Sequence, residues 1–151
     1  MSESTETSTI WFKRPTAESL NHIHRKCSIS LLGIRVTEVG DDYLVATMPV
    51  DERTIQPFGL LHGGATVLLA ETLGSAASYA CIDASKYFAV GIEVNANHIA
   101  SARSGFVTGI ARPLHLGFRT HVWDIRVHSE EKLISIARLT TSIGQISQRT
   151  G

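Results

Sequence analysis

Residues 62–81 constrain this chain more than any other segment. The run contains no proline, five alanines and a single Asp, Glu, Lys or Arg, at Glu71. A proline-free apolar segment of that length is a helix and not a strand. Because it is apolar nearly all the way round, it is expected to be a buried central helix. What surrounds it reads mainly as strands. Residues 34–39 and 43–49 alternate in hydrophobicity about Gly40-Asp41-Asp42, the pattern of a β-hairpin. Residues 88–99, 106–114, 118–128 and 133–143 read as four more strands, with Glu130-Glu131-Lys132 as the last turn. In the third of these, Trp123, Ile125 and Val127 alternate with Asp124, Arg126 and His128, as in an antiparallel sheet with one buried face. A short amphipathic helix over residues 16–26, capped by Thr16 with Leu20 and Ile23 inward, precedes the hairpin. The order α-β-β-α-β-β-β-β predicts an α+β domain in which one long helix packs on an antiparallel sheet.

Composition narrows the function classes. The 151 residues carry 14 Lys+Arg against 14 Asp+Glu, so no domain-wide positive field draws the chain to nucleic acid or an anionic membrane. Cys27 and Cys81 form no Cys-x-x-Cys, and neither a disulfide scaffold nor a structural metal is expected. His24 and Cys27 share a helix face at i, i+3, which reads as a solvated surface in preference to a metal site. Residues 1–10 and 145–151 are polar and are expected as flexible tails around a domain at 11–144. The start lacks the basic and apolar regions of a signal peptide, which favours the cytoplasm. Gly-x-Ser-x-Gly, Gly-x-Gly-x-x-Gly and the P-loop are all absent.

Two features point to chemistry. Between Arg53 and Asp83, Glu71 is the sole Asp, Glu, Lys or Arg, and a lone carboxylate in apolar surroundings costs several kcal/mol unless it is paired or kept protonated, so its presence calls for a reason such as function. Its helical neighbours Val67, Leu68, Gly74 and Ser75 make no polar stripe that would account for it. Before the helix stands Gln56-Pro57-Phe58-Gly59-Leu60-Leu61-His62-Gly63-Gly64. A glycine pair at a helix start leaves backbone N–H groups open to an anion, although a tight turn would use the same residues. Gly63 and Glu71 are eight residues apart, about 12 Å of helical rise. If one supplies oxyanion donors and the other the base or nucleophile, they come from two copies of the chain, with helices side by side and antiparallel.

These segments, together with Ala46-Thr47-Met48-Pro49-Val50-Asp51, Leu69-Ala70-Glu71, Asn95-Ala96-Asn97-His98, Pro113-Leu114-His115-Leu116-Gly117, Val122-Trp123 and Arg138-Leu139-Thr140-Thr141, occur in the order of a known family. From Trp11 to Ile143 the chain resembles the hotdog-fold acyl-CoA thioesterases, in the branch that includes the bacterial 1,4-dihydroxy-2-naphthoyl-CoA hydrolase of menaquinone biosynthesis. The resemblance implies that Glu71 is the catalytic carboxylate, as nucleophile or general base, and that the Gly63 N–H of the opposite subunit polarises the thioester carbonyl. It implies that His62 orients the thioester, where simple helix capping is the alternative. It also implies that Gln56 contacts the carboxylate or water and that Ser75 lies beside an aryl pocket. It further implies that CoA lies along Gly91, along His98, Ile99, Ala100 and Ser101, and along His115, Leu116, Gly117, Phe118, Arg119 and Thr120. Arg119, ahead of Arg103, would pair with phosphate. Ile99-Ala100 stands where relatives often carry a basic residue.

The expected activity is hydrolysis of an aromatic acyl-CoA, foremost 1,4-dihydroxy-2-naphthoyl-CoA. No cofactor is expected, CoA being part of the substrate. A homodimer with shared sites is expected, and by resemblance a homotetramer. The alternatives are a proofreading thioesterase for acyl or aryl carrier proteins or for phenylacetyl-CoA-type substrates, and a non-catalytic acyl-CoA sensor, which would not need Glu71.

Overall fold

The computed structural model describes residues 9–147. The expected tails at 1–8 and 148–151 lie outside them. Residues 9 and 10 join the fold, with the Ile10 N–H donating to the Asp41 carbonyl at 3.2 Å, and Gln145 is the last residue of a strand.

The elements are α1 (Ala17–Ile23), α2 (Ser28–Leu31), β1 (Arg35–Val39), β2 (Leu44–Pro49), α3 (Gly63–Ala80), β3 (Tyr87–His98), β4 (Phe106–Leu116), β5 (Thr120–Ser129) and β6 (Lys132–Gln145). All six strands form one antiparallel sheet in the order β1-β2-β4-β5-β6-β3. The helix α3 lies across it and touches β2 to β6. No helix among the described residues is long and apolar enough to cross a membrane.

Local chemistry accounts for the boundaries. Thr16 and Ser19 form a reciprocal capping box that starts α1, which ends at Ile23, short of the expected Lys26. Leu20 is buried, but Ile23, the last residue of the helix, is exposed, contrary to expectation. The four-residue α2 was not expected; one turn is too short to show a period. The last turn is Glu130-Glu131, with Glu130 at φ 53°, and Lys132 belongs to β6.

Apolar side chains from α3 and the sheet make the core, with Leu69, Leu73, Trp123, Ile125 and Leu139 fully buried. Three polar groups at its centre, Trp123 Nε1, Ser78 and Thr141, are paired. The Trp123 indole N–H donates to Ser78 Oγ at 2.7 Å, and Ser78 Oγ lies 2.8 Å from Thr141 Oγ1. These bonds fix the C-terminal third of α3 to β5 and β6, since each buried group left unpaired would cost about 1–3 kcal/mol. The Phe12 N–H closes that end of the helix by donating to the Ala80 carbonyl at 2.9 Å. Thus α3 has a fixed position and a fixed rotation over the sheet.

That rotation differs from the expected all-round burial. Ala65, Leu69, Thr72, Leu73 and Ala76 face the core, while Val67, Leu68, Glu71 and Ser75 stay half-open along one stripe. Glu71 is therefore not enclosed within a single chain. Two of its four members, Val67 and Leu68, are apolar, and the described residues leave them half-open.

Candidate active site

The start of α3 is held by the loop before it. The Thr54 hydroxyl donates to the Pro49 carbonyl at 2.7 Å, and the Thr54 carbonyl accepts from the His62 N–H at 2.8 Å. The Arg53 guanidinium, 2.6 Å from Asp51, holds that carboxyl below its usual range. Gly59, at φ +74°, reverses the chain so that Gln56 and Leu60 meet. The Gln56 side-chain carbonyl accepts from the Phe58 N–H, which leaves its NH₂ group free to donate.

His62 is the N-cap of α3: its Nδ1 accepts from the Gly64 N–H at 2.8 Å. The capping alternative is thus the observed one, and it has a chemical consequence. With Nδ1 as acceptor the ring proton sits on Nε2, at the exposed side of the imidazole. The neighbouring Gly63 N–H has no acceptor among the described residues. Gln56, Gly63, His98, Ser101 and Ser135 line a cleft of about 210 Å³ at this helix end.

Glu71 lies two turns further on, about 12 Å along the axis. Its carboxylate has no hydrogen bond or ion pair among the described residues. It rests over Gly91 of β3, where a Cβ would stand 2.6 Å from Glu71 Oε1. A β-bulge between Gly91 and Glu93 falls at the same point. Gly91, expected on CoA, also gives the carboxylate room. Ser75 shares the half-open stripe one turn later.

The remaining expected CoA contacts fall into two groups. His98, Ile99, Ala100 and Ser101 follow the end of β3, beside Gly63, with the Ile99 and Ala100 N–H groups donating to the Ile134 carbonyl. His115 to Thr120 form the turn from β4 to β5, where the Gly117 N–H donates to the Thr120 carbonyl at 2.9 Å. On β6, His98 pairs with Ser135 and Thr120 with Ser142. Seven strand residues separate those positions, about 24 Å. One chain does not bring the two groups together.

The second group borders a cleft of about 360 Å³ lined by Cys81, Tyr87, Phe118 and His121 among others. Burial lowers the His121 pKa, with His115 adding to the effect, and its Nδ1 has no partner among the described residues. Burial pushes the Cys81 thiol up to about 12, which removes it as a nucleophile at neutral pH. Arg103 and Arg119 are exposed, and neither has a carboxylate partner among the described residues. No group of three or more His, Cys, Asp or Glu among the described residues could hold a metal ion. Two clefts of about 670 Å³ lie on either side of α1 and include none of the expected site residues. Sequence reasoning missed Ser135, which faces His98 only through strand register, and Val67 and Leu68, whose half-open position depends on the rotation of α3.

Residues 58–135 match the Thioesterase superfamily. The chain is 51% identical over 135 residues to the 1,4-dihydroxy-2-naphthoyl-CoA hydrolase of Escherichia coli K12, covering 89% of this chain and 98% of that one. It is 44% identical to the proofreading thioesterase EntH of Cronobacter turicensis, over 89% of this chain and 98% of the relative. The crystal structure of a mutant of thioesterase PA1618 from Pseudomonas aeruginosa superposes with a TM-score of 0.90 at 52% identity, covering 91% of this chain and all of that one. The thioesterase HI1161 of Haemophilus influenzae superposes equally well at 43% identity, over 95% of this chain and 100% of that chain. With its six-stranded antiparallel sheet and single long helix, the chain belongs to the Thioesterase superfamily and is a thioester hydrolase of the hotdog fold.

Proposed function

We propose that the enzyme hydrolyses aromatic acyl-CoA thioesters to the free acid and CoA, foremost 1,4-dihydroxy-2-naphthoyl-CoA, at a site completed by two copies of the chain. The observation that carries the substrate class is 51% identity, over nearly the whole of both chains, to a hydrolase of that ester. The similarity to a proofreading thioesterase supports a second reading, in which the acyl group is presented on a carrier protein.

In the proposed site the thioester carbonyl oxygen lies at the α3 N-terminus of one protomer, where the Gly63 N–H and the positive end of the helix dipole stabilise developing negative charge. His62, with its proton on Nε2, orients the thioester, and the Gln56 amide contacts the carboxylate or the water. Glu71 of the other protomer attacks the carbonyl carbon or takes a proton from the attacking water. Water adds to the acyl carbon, the carbon–sulfur bond breaks, and the thiol leaves with a proton. Ser75 lies toward the acyl group, and the two separated CoA-contacting groups would be reunited across the protomer pair. The half-open stripe and the 12-residue β3, which among the described residues pairs only with β6, support side-by-side packing of antiparallel α3 helices. A homotetramer built from two such pairs is the assembly proposed from the family resemblance.

Thiol release from a panel of aryl-CoA, alkyl-CoA and carrier-linked thioesters tests this reading. Aryl-CoA esters are expected to give the highest kcat/KM, and Glu71→Ala to lower kcat by about 1000-fold or more. Near wild-type turnover in that variant would remove the mechanism, and a preference for carrier-linked esters would favour the second reading. Mixing Glu71→Ala with a His62→Ala, Gln56→Ala double variant is expected to restore activity, because the mixed dimer contains one intact site. No recovery on subunit exchange would break the shared-site proposal.

A further inference from the structure

The helix-facing row of β6 runs Ser135, Ala137, Leu139, Thr141, all buried. Each of its two polar members has one side-chain partner. Thr141 meets Ser78 in the core network, and Ser135 Oγ lies 3.1 Å from His98 Nδ1. A hydroxyl at position 135 thus holds an imidazole, where an alanine or valine would suit an otherwise apolar row.

With Nδ1 held by Ser135, the other end of the ring is directed at the start of α3. His98 Nε2 comes within 2.7 Å of the place a Cβ on Gly63 would occupy. Real Cβ atoms do not approach a heavy atom so closely, so glycine at 63 leaves space for this nitrogen. Both groups open into the same cleft of about 210 Å³, together with Gln56. When the Ser135 hydroxyl donates to Nδ1, the ring carries its proton on Nε2 and becomes a donor beside the unpaired Gly63 N–H.

We propose that His98 Nε2–H is a second oxyanion donor, acting with the Gly63 N–H on the thioester carbonyl oxygen, and that Ser135 is the positioning residue that fixes its ring. The assignment rests on the hydrolytic reading above and differs from the role the family resemblance implies for this histidine, a contact to CoA. Two donors aimed at one oxygen act where charge develops in the transition state, so their loss falls on kcat. A CoA contact would fall on KM for substrates that carry the nucleotide.

The two roles separate on a pair of substrates, an aromatic acyl-CoA and the same acyl group on N-acetylcysteamine, which keeps the thioester and lacks the nucleotide. His98→Ala is expected to lower kcat by about 100-fold on both, with KM changed little. His98→Gln, whose amide N–H reaches nearly the same point, is expected to recover part of the loss. Ser135→Ala, which leaves the imidazole in place but untethered, is expected to give a smaller fall in kcat and serves as the readout if His98→Ala does not fold. Wild-type kcat for His98→Ala on the N-acetylcysteamine ester, or an equal loss in His98→Ala and His98→Gln, would overturn the assignment. Glu71→Ala run alongside separates the two levels. If it is inactive while His98→Ala is not impaired, only the second donor falls; if it remains active, the hydrolytic reading falls with it.

Discussion

The two edges of the sheet are finished in opposite ways. At β1 the chain closes its own edge: α1 packs over the strand, and Asn21 donates from Nδ2 to the Val36 carbonyl at 2.8 Å while accepting the Val36 N–H at 2.9 Å. One side chain thereby replaces the strand that is missing there. At β3 the edge is 12 residues long, no described residue pairs with its outer side, and the strand exposes Phe88, Val90 and Ile92. A long, apolar, uncovered edge is an invitation to pair with another chain, and folded proteins ordinarily blunt it with a short strand, a charge or a cover. This molecule blunts β1 and leaves β3 open. The open edge also lies beside Glu71, on the same side as the half-open stripe of α3. Edge and candidate carboxylate coincide, as the proposed shared site requires.

Matched substitutions at the two bulges put that contrast to its strongest test. Each edge strand carries one extra exposed residue, Thr37 in β1 and Ile92 in β3. Ile92→Asp is expected to give a folded monomer whose thiol-release activity falls by about 100-fold or more, because each site loses its second half. Thr37→Asp is expected to change neither oligomeric state nor rate. Sedimentation velocity and kcat read both variants. A fully active monomer of Ile92→Asp would break the link between edge and site, and a monomeric Thr37→Asp would show that the interface lies at the other edge.

A smaller effect is expected inside β3. Gly91→Ala would place a methyl carbon 2.6 Å from the present position of Glu71 Oε1, and the carboxylate would have to move. Displacing a reacting group by an ångström or so costs about 10- to 100-fold in rate. The expected outcome is a fall in kcat with an intact dimer and little change in KM. A raised KM for CoA esters alone would return Gly91 to the CoA contact suggested by the family resemblance.

The same contrast separates what was legible in the sequence from what was not. The long helix, its glycine start and the exceptional Glu71 are local statements about composition, and a 3.6-residue or 2-residue period is visible without any partner. The alternation that marks β5 survives because one face of that strand is buried within the chain. In β3 the pattern identified a strand but could not reveal a bare edge, since bareness depends on which strands pair. Asn21 over Val36 and Ser135 behind His98 belong to the same class. Both contacts join residues 15 and 37 positions apart, and they exist only once strand order and register are set. The half-open stripe of α3 was misjudged for a related reason. Val67 and Leu68 read as core because apolar residues usually are, whereas here their cover is expected from a second copy.

The smallest effect is expected at the closed edge, and it sharpens the comparison because it changes stability without changing rate. Asn21→Ala leaves the Val36 N–H and carbonyl without their side-chain partner, under a helix that limits access by water. Losing such half-buried hydrogen bonds costs about 1–2 kcal/mol, a shift of a few degrees in Tm for a domain of this size. Activity at 25 °C and dimerisation are expected to remain at the wild-type level, since α1 and β1 stand five strands away from β3 in the sheet order. Asn21→Asp tests the geometry further. Its carboxylate still accepts the Val36 N–H but cannot donate to the carbonyl, so it is expected to recover only part of the lost stability. Thermal unfolding at a fixed protein concentration separates the three proteins, and equal stability of all of them would mean that the side-chain bonds to Val36 are not what closes this edge.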